Sequence, residues 1–287
     1  MSDKFSLAKT LLKVGLVGIV TTILFSGCST TLQTQREIGT LNLTSKKLKQ
    51  LKPTKRVIAI ISPKIAGKKQ QTQAPKSRLE IMMMQRMGNM NANYNFDSAF
   101  SKNYARRLNN ALEDSVSEII SAKGFKLKGP YKELDDMTYQ DKKKVYLAFV
   151  PKIDFTIENK VINTKRHRLY THSDGVIQIG GNVIISMLEP MTGQVFIKRR
   201  ISLSDFNIQE PYVYEKQISD GSGGLIGTAI DKSTAPKKLI DTTDVALAKA
   251  INEFYAKTIQ KVNAYLDKEE ILSFKEDILK LKGLKRF

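Results

Sequence analysis

Ile177, Ile179, Val183, Ile185 and Met187 fall on one side of an alternating pattern. Val195, Ile197, Ile201 and Leu203 repeat it after the turn Pro190-Met191-Thr192-Gly193. A period of two commits both runs to strands with one apolar face, because successive strand side chains point to opposite sides. The turn joins them into an antiparallel hairpin. Such a hairpin cannot bury its own apolar face, so other elements of the chain must cover it. Gly180-Gly181 interrupts the first run without changing its phase, which predicts a bend or a close backbone approach rather than a bulge.

Two further segments read as strands. Val57-Ile58-Ala59-Ile60-Ile61, ended by Ser62-Pro63, is a continuous apolar run that predicts a strand buried on both faces. Val145 to Val150 is a second, ended by Pro151; Ile153, Phe155 and Ile157 then alternate, predicting that the strand resumes as a half-exposed edge. The cover comes from helices. Phe100, Tyr104, Leu108, Leu112, Val116 and Ile120 recur every four residues in a helix capped at Asp97 or Ser98 and running to about Lys123. A second long helix starts near Asp241-Thr242-Thr243-Asp244, with Val245, Ala248, Ile251, Tyr255, Val262 and Leu266 along much of one face. A charged helix follows, from roughly Lys268 to Lys282. The predicted architecture is α+β: a mostly antiparallel sheet with two long helices packed on one face and a charged C-terminal helix.

The N-terminus reads as an export signal. Lys4, Lys9 and Lys13 precede Val14–Ser26, a run of 13 uncharged residues that is too short for a confident membrane span. Small residues, Ser26-Gly27, then precede Cys28, the one cysteine in the chain. Residues 1–27 are therefore expected to be a lipoprotein signal peptide, with Cys28 as the acylated residue. Several acyl chains hold a protein durably on a membrane where one would not. Residue 29 is Ser rather than Asp, which favours the outer membrane. Residues 28–55 are expected to be a lipid-anchored tether, and 56–287 a single domain with a basic, Met-rich loop at 64–96. That loop carries Met82, Met83, Met84, Met87 and Met90.

Charge narrows the partners. The chain has 47 Lys and Arg against 28 Asp and Glu, a formal balance of +19. From Leu41 to Leu79 there are 11 basic and no acidic residues. An anchored protein of this charge is drawn to anionic surfaces, such as lipopolysaccharide phosphates, peptidoglycan carboxylates, or sialylated or sulfated host glycans. Nucleic acid fits the charge but not the compartment.

Catalytic chemistry is poorly supplied. One Cys excludes an internal disulfide and a Cys-rich metal site. His167 and His172 lie five apart in a polar stretch and read as surface imidazoles, with no ligand set around them. The Gly-rich segment Asp220–Gly227 fits neither phosphate-binding glycine pattern. No catalytic residue, metal or cofactor is expected. The segment Thr164–Tyr170 is the candidate binding site. Lys165, Arg166 and Arg168 supply cations that can hold a carboxylate, and Tyr170 supplies a ring that can pack on a sugar. Its simplest alternative is a solvated hairpin loop.

Several segments together resemble the neuraminyllactose-binding hemagglutinin (HpaA-type) lipoprotein family of Helicobacter. They are Leu188-Glu189-Pro190-Met191-Thr192-Gly193, Leu203-Ser204, Ile208-Gln209-Glu210, Ser222-Gly223-Gly224-Leu225 and Leu281-Lys282-Gly283, with Tyr146-Leu147-Ala148 and the lipoprotein signal. The likeness is strongest over 140–287 and suggests a divergent paralogue. It implies a non-catalytic surface adhesin or flagellar-sheath lipoprotein of the outer membrane. The implied partners are a sialylated glycan or an envelope protein; a periplasm-facing structural or assembly lipoprotein is the alternative. The family's Lys-Arg-Thr-Ile-Gln-Lys motif has only Lys165-Arg166 at its expected place. The near copy Lys257-Thr258-Ile259-Gln260-Lys261 falls inside the second long helix, where its residues serve as helical positions and Ile259 is expected to be buried.

Overall fold

The structure, a computed structural model, describes residues 34–45, 48–63, 65–67, 94–167, 170–217 and 238–284. The signal segment, Cys28, the Met-rich loop and the Gly-rich segment at 220–227 lie outside them. The described residues belong to one unit beginning at Thr34.

Its frame is a single sheet of nine strands among the described residues. In chain order they are β1 (Thr34–Arg36), β2 (Val57–Ile61), β3 (Ile65–Gly67), β4 (Lys126–Tyr131), β5 (Leu147–Arg166), β6 (Tyr170–Leu188), β7 (Val195–Ser202), β8 (Gln209–Gln217) and β9 (Leu239–Asp241). The principal order across the sheet is β1-β9-β8-β6-β5-β2-β4, with β3 beside β5 and β7 beside β6. The centre is antiparallel: β5 pairs with β6 along nearly its whole length, and β6 pairs with β8 over one half and β7 over the other. The margins are parallel, where β2 joins β4 and β5, and β1 joins β9.

The helices are α1 (Phe96–Asn103), α2 (Ala105–Ala122), α3 (Tyr139–Lys144), α4 (Thr243–Tyr265), α5 (Lys268–Ser273) and α6 (Lys275–Leu284). The stripe from Phe100 to Ile120 is buried, as its spacing predicts. It is carried by two helical segments rather than one, meeting at Tyr104, whose φ of −124° leaves the helical range. The cap is Asn95, which accepts from the Ser98 amide, and not Asp97 or Ser98. Residues of α1, α2, α4, β5, β6 and β7 form one core. A smaller apolar cluster joins Ala59, Ile61, Met137, Val145 and Ala148. Ile58 and Ile60 face the main core and Ala59 and Ile61 the smaller one. That two-sided burial is why β2 is continuously apolar.

Three further expectations need correction. β5 does not stop at Pro151 and resume as an edge. It runs through the proline, which sits where β2 has ended and β3 has not begun, so no ladder bond on that side is lost. Residues 34–45 and 48–54 are not a free tether. Leu41 is buried, the Gly39 amide donates to Asp244, and the Leu51 and Thr54 amides donate to the carbonyls of Ala122 and Gly124. Val195 shares the phase of β7 but is exposed, because the β6–β7 register slips between Met187 and Leu188. The pairing of β5 with β6, by contrast, passes Gly180-Gly181 without a shift, as the kept phase predicts.

Candidate functional site

Lys165 and Arg166 end β5, and Tyr170 begins β6, so the candidate segment is the turn of the longest hairpin. Arg168 lies outside the described residues. The exposed His167 ring stacks on Tyr170 with centroids 4.4 Å apart and planes 14° apart, and the His167 amide donates to the Tyr170 carbonyl. The structure therefore brings Lys165, Arg166 and Tyr170 to one end of the sheet. It does not converge them. Lys165 and Arg166 are consecutive in a strand, so their side chains leave opposite faces.

Pairing register carries this end across five strands. Thr164, Ser173, Tyr214, Asp241 and Arg36 form one row through β5, β6, β8, β9 and β1. One row nearer the turn, Lys165 lies opposite His172, and His172 opposite Glu215. The next row, the last that includes β5, holds Arg166, Thr171 and Lys216, and the β8–β9 register brings Leu239 and Thr34 in line with it; Tyr170 and Gln217 pair one row nearer the turn. Lys165, Arg166, Lys216 and Lys238 are all exposed.

Acidic groups at this end are engaged. Glu215 is buried; one carboxylate oxygen accepts from the Ile240 amide at 2.8 Å, and the other meets His172 Nδ1 at 2.8 Å. His172 Nε2 meets Asp174 at 3.0 Å. The hydrogen bond to Glu215 raises the His172 pKa, burial opposes it, and Asp174 adds to the rise. His172 is thus not the plain surface imidazole its polar neighbours suggest. The two carboxylates hold opposite ring nitrogens and do not converge on one point. Among the described residues no cluster of His, Cys, Asp and Glu is suited to a metal.

A second polar centre was not legible in the sequence. Asp244, buried in the first turn of α4, accepts from Tyr104 Oη at 2.6 Å and the Gly39 amide at 2.9 Å, and pairs with Arg36 at 3.2 Å. It fastens the N-terminal segment to the α1–α2 junction, and the positive end of the helix dipole favours its charge. Sequence spacing offers no signal for it, since its partners lie more than a hundred residues away.

At the opposite end of the sheet, Glu189 is fully buried inside the Glu-Pro-Met-Thr-Gly turn. Its Oε2 accepts from the amides of Met191 and Thr192 and from the Thr192 hydroxyl. Its Oε1 faces Lys282 Nζ at 3.8 Å. Lys282 also donates to the carbonyls of Lys143 and Val145, tying α6 to the end of α3. Burial lowers the Lys282 pKa, and Glu189 opposes the shift. The Lys257–Lys261 near copy is structural, as expected. Thr258 and Ile259 are buried, and Lys257 donates to the Phe206 carbonyl at 2.7 Å.

These features define an α+β protein whose single curled sheet is covered by helices on one face and ends in a cationic margin. A family model described as neuraminyllactose-binding hemagglutinin precursor matches residues 82–285, and the chain belongs to that family. It is 26% identical over 204 residues to a neuraminyllactose-binding hemagglutinin of Helicobacter pylori strain 26695, covering 66% of this chain and 74% of the relative. The same protein of strain J99 is also 26% identical, with the same coverage. The crystal structure of a neuraminyllactose-binding hemagglutinin homolog from Helicobacter pylori superposes with a TM-score of 0.52 at 13% identity. It covers 82% of this chain and 99% of the other. The expected family and fold class are thereby borne out. No helix among the described residues is long and apolar enough to cross a membrane.

Proposed function

We propose that this protein is a non-catalytic, lipid-anchored outer-membrane member of the hemagglutinin family, serving as a surface adhesin or flagellar-sheath component. The observation that carries the reading is Cys28, the lone cysteine, standing at the end of the uncharged run in a chain of this family. Acyl chains on its sulfur hold the protein on the membrane, and the folded body supplies binding rather than chemistry. The body binds anionic groups through Lys165, Arg166 and Tyr170 at the cationic sheet end and through Arg168, which stands between them in the sequence. The names of the relatives make a sialylated glycan the first partner to try. Ammonium and guanidinium groups suit its carboxylate, and a Tyr ring suits its apolar face.

Mass spectrometry of the mature protein tests the anchor; an unmodified Cys28 refutes it. Protease added to intact cells tests surface exposure and is expected to remove the protein. Full protection, with the membrane shown to be intact, favours a periplasm-facing structural or assembly lipoprotein that binds peptidoglycan or an envelope or flagellar partner. One observation supports that second reading: the N-terminal strand enters the sheet at the same end as the cations.

A further inference from the structure

We propose that the cationic end of the sheet docks end-on against the anionic lipid headgroups of the membrane that holds the chain. The inference rests on the reading that Cys28 is acylated, and it names the membrane itself as the partner of that end.

The chain path brings the two together. Thr34 begins β1 in the same terminal row as Arg166, Thr171 and Lys216, and β1 runs away from that end toward Arg36. The chain therefore enters the sheet from the hairpin-turn side. Cys28 is six residues before Thr34, and six residues span at most ~20 Å when fully extended. An acylated Cys28 thus keeps the headgroup layer within ~20 Å of this end of the sheet.

Charge favours the contact. Lys165, Arg166, Lys216 and Lys238 are exposed at this end. In the two terminal rows of β5, β6 and β8 the one acidic residue is Glu215, buried and held by His172 and the Ile240 amide. Asp174, two rows further in, occupies the other His172 nitrogen. Arg36 is paired with Asp244, and Glu37 lies beyond it, further from the end.

Geometry favours a plane over a pocket. Lys165 and Arg166 leave opposite faces of β5, and a flat layer of phosphates met end-on can take both at once. The stacked His167 and Tyr170 rings sit at the turn itself, where amphipathic rings settle at headgroup depth.

The chain contains no Trp, so one introduced indole reports its own surroundings. Full-length acylated protein is reconstituted in vesicles of brominated phosphatidylglycerol or brominated phosphatidylcholine. Two single variants are compared: Tyr170→Trp at the turn, and Tyr139→Trp in α3 at the opposite end. Tyr170→Trp emission is expected to be quenched in the anionic vesicles and much less in the neutral ones, with Tyr139→Trp unquenched in both. Adding Lys216→Ala or Lys165→Ala should lower the docked-to-free ratio about fivefold for each cation removed. Equal quenching of the two reporters in an acylated protein overturns the orientation. Release of the quenching by soluble sialyllactose, but not by lactose, overturns lipid as the occupant. An unmodified Cys28 overturns the anchoring reading itself, and mass spectrometry of the same sample separates that failure from the others.

Discussion

Gly181 has a φ of +107°, and a Cβ there would lie 2.0 Å from the Asp154 carbonyl oxygen. Its own carbonyl accepts from the Leu203 amide, closing the end of the β6–β7 pair. Gly193 also has a positive φ, but a Cβ there meets open space. The two glycines separate strain with collision from strain alone. Gly181→Ala is expected to cost about 3 kcal/mol and Gly193→Ala about 1 kcal/mol in thermal or urea unfolding. The close approach at Gly180-Gly181 was legible because the apolar phase survives it. His172 was read only in outline, because Glu215, its main partner, reaches it through tertiary pairing. A raised His172 pKa means that its contribution is fully present below about pH 6.5 and is lost as pH rises through the higher folded value. The melting temperature should therefore fall as pH rises above about 6.5 in the wild type, and this component should vanish in His172→Gln.

Among the elements, those that bury one clean face were readable: the α2 stripe, α4 and the β6–β7 hairpin. β8 and β4 are not readable in the sequence. β8 mixes Pro211, Tyr212 and Tyr214 with charged residues, and Tyr212 spends its ring across Gly175, where a Cβ would come within 2.4 Å of it. β4 is largely exposed, so no apolar period marks it. The 34–54 segment looks like a tether for a related reason. Its attachments are backbone amides, the Arg36–Asp244 pair and one buried leucine, and none makes a periodic pattern. The charged C-terminal segment forms two short helices, α5 and α6, each burying one isoleucine, Ile271 or Ile278. Lys282 is the tie that holds α6. Lys282→Met should leave the Glu189 carboxylate buried without its nearest cation and cost about 2 kcal/mol. Hydrogen exchange should then show 275–284 opening ahead of the sheet; protection unchanged from wild type would refute this role.

Over the whole molecule, charge decides more than shape. Removal of residues 1–27 would leave 44 basic and 27 acidic residues, a balance of +17. Attraction between this body and an anionic surface is screened over roughly 10 Å at 0.1 M salt. Binding of the protein to anionic vesicles should therefore weaken steadily from 50 to 500 mM salt, with neutral vesicles showing little change. Salt-independent binding would point to apolar contact instead. The two ends of the sheet differ in kind. One carries cations and the chain entry, and the other carries the buried Glu189 turn and its α6 clasp.

What the amino-acid order determined by itself was local. Alternation, helical stripes, the uncharged run before a lone cysteine and the Leu-Glu-Pro-Met-Thr-Gly turn each act over a few residues, and each can be read where it stands. Tertiary structure alone decided which strands became neighbours, that Thr34 shares a row with Arg166, and that Asp244 and Glu189 are fastened from far along the chain. Those contacts depend on sheet register and on burial, and neither leaves a periodic trace in the order of residues.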